Sequence, residues 1–192
     1  MACDKLANIS ALRGMKLEEL MLWKTHVEEL SPLAGMPIKK LLIFGARVKD
    51  LSPLKGMPLE SLWVGATSVT DFTPLKGLPL KDLSLYSSEA TDLSALAGMP
   101  LERLKLGVVD SGKITDLTPL NGMKLKSLDD LEANTVTKGM EVIRDMKSLE
   151  EINRQTPSEF WKEFDECKLS RETNVESAEP DRPATVPKSK LK

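Results

Sequence analysis

The sequence predicts an α/β solenoid, and three observations carry that prediction. One phrase recurs: "ELSPLAGMPIKKLLIFGARVK", "DLSPLKGMPLESLWVGATSVT" and "DFTPLKGLPLKDLSLYSSEAT" share a Ser/Thr-Pro turn, a glycine, a proline and a ladder of aliphatic residues. The period is fixed: six copies begin at Ile9, Leu30, Leu51, Phe72, Leu93 and Leu117, with four intervals of 21 residues and a fifth of 24. Each copy also holds one helical turn and one short strand, too little to bury an apolar face alone, so the copies must stack.

The first element of a copy reads "LSPLKGMP". Ser52 suits an N-cap and Pro53 the first helical position, where its missing N–H costs nothing. Leu54 points inward, Gly56 is able to take the left-handed conformation that ends a helix, and Pro58 forbids continuation. A single turn of 3₁₀- or α-helix follows.

The second element reads L-x-x-L-x-L: Leu17/Leu20/Leu22, Ile38/Leu41/Ile43, Leu59/Leu62/Val64, Leu80/Leu83/Leu85 and Leu101/Leu104/Leu106. Its alternation predicts a strand with these side chains on one face. Met15, Met36, Met57, Leu78, Met99 and Met123 after each glycine join the expected core. So do Val27, Val48, Val69, Ala90 and Ile114 ahead of each new copy.

With these residues in place, the "V.DLSPLKGMPL..L.L" wording over 9–131 resembles the short, bacterial, internalin-like class of leucine-rich repeat. The resemblance implies a parallel β-sheet on a concave face, short 3₁₀/α turns on the convex face, and a C-terminal helical cap.

The ends differ from the middle. Met140, Ile143 and Met146 fall at helical spacing, and a strand-like "LEEI" follows at 149–152. Next, "TPSEFWKEFDECK" offers Thr156, Pro157 and Glu159 as a capping box, with Phe160, Trp161, Phe164 and Cys167 along one helix. This helix is expected to lid the last repeat. Its phrase "SLEEIN…SEFWKEFD" resembles the ends of bacterial leucine-rich arrays that form tails of serine/threonine-kinase and other multidomain proteins.

The expected organisation is an incomplete N-terminal lead-in at 1–8, repeats at 9–136, a cap at 137–169 and a disordered tail at 170–192. Nothing in 1–8 reads as a cap, so Leu12, Leu17, Leu20 and Leu22 are expected to present a bare edge. That edge suits a preceding domain in a larger polypeptide, a partner, or self-association.

Composition narrows the class. A net charge of −2, from 27 basic and 29 acidic residues, gives no footprint for nucleic acid or anionic membrane. Cys3 and Cys167 form no disulfide framework, so a reducing compartment, the cytoplasm, is expected. There is neither a secretory signal nor an apolar run near the ~20 residues that span a bilayer.

His26 is the only histidine and reads as a solvated turn residue. Cys167 reads as a packed thiol with no histidine nearby in sequence to activate it. No phosphate loop, nucleophile elbow or zinc-protease motif occurs. No catalytic residue, cofactor or metal is expected. Asp50, Asp71, Asp92 and Asp116, with Glu29, form a column that suits Asx-type capping better than Ca²⁺.

The variable positions carry the functional reading. One outward column is Met21, Leu42, Trp63, Ser84, Lys105; the next is Trp23, Phe44, Gly65, Tyr86, Gly107. Four of the eight aromatic residues fall there, three lie in the lid and Phe72 substitutes in the core.

Met21, Trp23, Leu42, Phe44, Trp63 and Tyr86 should form one apolar patch, rimmed by Arg103, Lys105 and Asp82. It reads as a face that binds a protein or peptide. Lateral packing along the sheet and a stacked glycan are the other readings of the same rings. A regulatory or structural tail of a larger, kinase-containing protein is the alternative function. The extra residues in 107–113 suit either a recognition loop or plain slack.

Overall fold

The computed structural model describes residues 5–87, 89–107 and 114–176. Each copy opens on one turn of 3₁₀-helix: Ser10–Leu12, Ser31–Leu33, Ser52–Leu54, Thr73–Leu75, Ser94–Leu96 and Thr118–Leu120. The capping residue is not the one the sequence suggests. Ser52 is the first residue of its turn, and Leu51 before it makes no side-chain cap. The acceptor is the Asp50 carboxylate, which takes the Ser52 backbone N–H at 2.8 Å and also its hydroxyl.

Asp71, Asp92 and Asp116 do the same for Thr73, Ser94 and Thr118, and Asn8 serves Ser10 at 2.7 Å. The acidic column is therefore an Asx device that orients each turn. Glu29, one methylene longer, makes no such bond to Ser31. Each turn closes on a left-handed glycine, as at Gly56 with φ +73°.

Three-residue strands follow: β1 (Glu19–Met21), β2 (Lys40–Leu42), β3 (Ser61–Trp63), β4 (Asp82–Ser84), β5 (Arg103–Lys105) and β6 (Ser127–Asp129). A two-residue β7 (Glu151–Ile152) lies in the "LEEI" segment. All pair in parallel and in sequence order, with Leu20, Leu41, Leu62, Leu83, Leu104, Leu128 and Ile152 in one register row. Behind the sheet the aliphatic ladder from Leu22 onward, the valine column and Phe72 are buried, so Leu22 is not part of the bare edge expected of it.

Met15 departs from its column. It is 46% exposed, whereas Met36, Met57, Met99 and Met123 are buried. Those four each lie under the preceding copy, and none precedes Met15 among the described residues. Leu6, Leu12, Leu17 and Leu20 are only partly covered for the same reason.

At the other end α1 (Met140–Asp145) and α2 (Pro157–Glu176) follow the last repeat. The Thr156 N–H donates to Glu159 Oε2 at 3.0 Å, and the Glu159 N–H donates to Thr156 Oγ1 at 3.4 Å, a reciprocal capping box. Phe160 is buried beneath α2, and Trp161 packs against the core edge-on to it. The Arg144 guanidinium stacks 4.4 Å from the Trp161 ring and pairs with Asp165.

Cys167 is exposed rather than packed. Residues 165–170 are all exposed, so the helix has already run past the core there. α2 continues to Glu176, beyond the expected cap boundary at 169. The rest of the expected tail and insertion positions 108–113 lie outside the described residues.

Leu83→Asp should abolish the cooperative thermal transition, because an unpaired carboxylate at a fully buried position costs more than about 4 kcal/mol. Thr156→Ala should lower stability by about 1 kcal/mol in urea titration, with the sheet signal retained until unfolding.

Bonds from the Ser/Thr hydroxyl, then the backbone N–H, hold Asp50, Asp71 and Asp116 below the ordinary aspartate value of 3.8. Their stabilisation is complete above that value and is lost as pH falls through the lowered pKa values. Thermal midpoints taken downward from pH 3.8 should therefore drop, and the triple Asp→Asn variant should show a shallower drop.

Candidate binding surface on the concave face

The side chains between the leucines emerge on the open face of the sheet, and the parallel register stacks them into columns about 4.8 Å apart. The two columns nearest the first leucine are charged. One runs Glu18, Lys39, Glu60, Lys81, Glu102, Lys126, Glu150, alternating in sign at every rung. Lys39 meets Glu18 at 3.0 Å, Lys81 meets Glu60 at 3.1 Å and Lys126 meets Glu102 at 2.8 Å.

Its neighbour pairs Lys40 with Glu19 at 2.7 Å and Arg103 with Asp82 at 3.2 Å. The bond to Glu19 raises the Lys40 pKa, and that between Lys126 and Glu102 raises the lysine and lowers the glutamate. Exposed pairs of this kind add little stability individually. Collectively they leave this half of the face without a free charge block.

The next column, Met21, Leu42 and Trp63, borders an open groove of about 600 Å³ whose other wall is the charged ladder, including Lys40, Asp82 and Arg103. Met21 and Trp63 are exposed, at 73% and 47%, and Leu42 is half-buried. Trp63 makes no ring contact among the described residues.

Beyond it lies a row of rings. Trp23 meets Phe44 edge-on at 5.9 Å between centroids, and Phe44 stacks on Tyr86 at 6.3 Å and 16°. Those two rings meet across an intervening rung because that rung carries Gly65. A Cβ there would run into the Tyr86 carbonyl oxygen and come within 3.1 Å of the Phe44 ring. Trp23 and Tyr86 remain exposed, and Phe44 is half-buried between them.

The eight expected residues thus divide. Met21, Leu42, Trp63 and Arg103 line the groove; Trp23, Phe44 and Tyr86 form the ring row. Lys105 sits 5.0 Å over the Tyr86 ring and 3.2 Å from Asp130 Oδ2. Both expected rim cations are therefore held by acidic neighbours, Asp82 and Asp130.

The charged ladder was missed in reading the sequence. Its signal was the pair of residues between the first two leucines of each copy, aligned across all copies. No cluster of His, Cys, Asp or Glu suited to a metal ion occurs among the described residues. His26 is exposed and donates its backbone N–H to the Leu6 carbonyl at 2.8 Å.

No protein-family model matches the chain. No curated protein matches it either. Solved structures do. An internalin, InlF, from Listeria monocytogenes aligns over 79% of this chain and 52% of its own, with 26% identity and a TM-score of 0.59. Internalin C2 from the same organism aligns over 77% of this chain and 66% of its own, with 25% identity and a TM-score of 0.65.

The chain thus spans about half the length of the first and just under two thirds of the second. A repeating 3₁₀ turn, seven parallel strands in sequence order and these neighbours make the chain a leucine-rich repeat solenoid with internalin-like short repeats.

Proposed function

We propose that the chain is a non-catalytic interaction module that binds a protein or peptide on its concave face. The observation that carries this reading is Trp63. It stands 47% exposed in the groove wall, and no neighbouring ring uses its face. The ring row beside it has partial lateral partners, so its exposure has a structural reason; that of Trp63 does not.

Met21 and Leu42 extend the apolar wall, and the paired charges opposite supply a polar rim that needs no desolvated free ion. Exposed tryptophan flanked by aliphatic residues and framed by polar ones is the usual make-up of a binding anchor. The scaffold contributes preorganisation, since a hydrogen-bonded sheet holds the anchor in place before the partner arrives.

Among the described residues no helix is long and apolar enough to cross a membrane. The expected cytoplasmic setting fits Cys167, a free and exposed thiol.

Trp63→Ala is the discriminating variant, because Phe44 is half-buried between two rings and its loss would also cost stability. Affinity capture with the intact chain, followed by titration of the recovered partner, should show binding weakened by about 2 kcal/mol in Trp63→Ala. The thermal midpoint should stay unchanged. Unchanged affinity, or a fall in stability matching the fall in binding, would reject the reading.

A further inference from the structure

The groove wall on the concave face sets two conditions on what fills it. Its apolar side, Met21, Leu42 and Trp63, offers a tryptophan face that no neighbouring ring covers among the described residues. Its charged side is already satisfied. Lys39, Lys40, Lys81 and Arg103 each lie within 3.2 Å of a carboxylate, that of Glu18, Glu19, Glu60 or Asp82.

A charged side chain entering this groove either breaks one of these pairs or loses water without gaining a partner. An uncharged apolar segment does neither. It covers the wall and leaves the pairs intact.

The chain itself contains a segment of that kind. Residues 177–192, which lie outside the described ones, read SAEPDRPATVPKSKLK. Within them 183–187, PATVP, is an apolar run of five residues without a charge, bounded by Arg182 and Lys188.

Proline fixes its own φ and biases the residue before it toward extended backbone. Pro180, Pro183 and Pro187 therefore act on Glu179, Arg182 and Val186 as well, and the sequence favours polyproline II through 179–187. Such a segment loses little chain entropy on docking, and its prolines pack against exposed aromatic faces. At ~3.1 Å per residue 183–187 is ~12 Å long. Met21 and Trp63 stand two rungs apart in register, a distance of ~10 Å that this run covers.

We propose that the proline-rich segment 183–187 of this chain is a ligand of its own concave face. It lies along Met21, Leu42 and Trp63 and competes there with any other partner. The inference rests on the reading of that face as a binding surface, and adds to it the class of ligand: an uncharged polyproline II segment.

The probe is a fluorescein-labelled peptide of sequence SAEPDRPATVPKSKLK, followed by fluorescence anisotropy. The receptor is the full chain carrying Pro180→Ala, Pro183→Ala and Pro187→Ala, so that its own tail does not compete. Binding should be saturable. A peptide with the same three Pro→Ala changes keeps every charge and should bind roughly tenfold more weakly. Trp63→Ala or Met21→Lys in the receptor should weaken binding by a similar factor, with the thermal midpoint unchanged. The chain with its natural tail should bind the probe several-fold more weakly than the triple variant.

No saturable binding, equal binding of the two peptides, indifference to both receptor substitutions, or equal binding by the natural and triple-variant chains would each overturn the proposal. A captured partner that needs Trp63, beside a peptide that does not bind, rejects this inference and leaves the concave binding face standing.

Discussion

A rung of 21 residues has one turn of helix, three residues of strand and no interior of its own. Its inward leucines leave water only when the next rung covers them, and that mutual burial sets everything else. It demands the same backbone path at each level, so Leu20, Leu41, Leu62, Leu83, Leu104 and Leu128 fall in one register row. The capping aspartates and turn glycines follow from the same demand, since each turn must deliver the chain to the next strand at one angle. Stability in such an array is a sum of rung and neighbour terms, which makes the least-covered rung the weakest.

Strict repetition has a second consequence, on the outward side. Any residue type placed there recurs beside its equivalent at about strand spacing, where like charges repel and unlike charges attract. The sequence resolves this by alternating sign along Glu18, Lys39, Glu60, Lys81, Glu102, Lys126 and Glu150. The same closeness would wedge apart large rings at every level of the outer column. Gly65 relieves it by leaving space in which Phe44 and Tyr86 meet. What remains exposed after both accommodations is the apolar wall of Met21 and Trp63, with Trp23 and Tyr86 of the ring row beside it.

The scaffold was legible because period and alternation report backbone geometry directly. The row of leucines, the inward Phe72 and the seventh strand at Glu151–Ile152 are all written at fixed spacing. Local chemistry was less legible. Ser52 and Asp50 are both plausible caps by type, and only the position of the turn, one residue earlier than the wording suggests, assigns that role to Asp50.

Met15 fits its column by type and fails by position, since coverage depends on a neighbour that a pattern does not supply. Cys167 continues the helical spacing of Phe160 and Phe164, but periodicity says nothing of where a helix outruns its core. Of the eight candidate surface residues, type alone could not reveal that Arg103 and Lys105 are held by Asp82 and Asp130.

The two ends of the array are physically unlike, and that asymmetry limits how it can associate. The C-terminal end is closed: Phe160 is buried there, Trp161 packs against the core, and Arg144 ties α1 to α2 through Asp165. Among the described residues, Met15 and Met21 of the first rung stand exposed and Leu6, Leu12, Leu17 and Leu20 are only partly covered. A solenoid with two open, complementary ends would add copies head to tail without closure, the route to filaments. Here the covered β7 and the acidic residues at both ends oppose that addition.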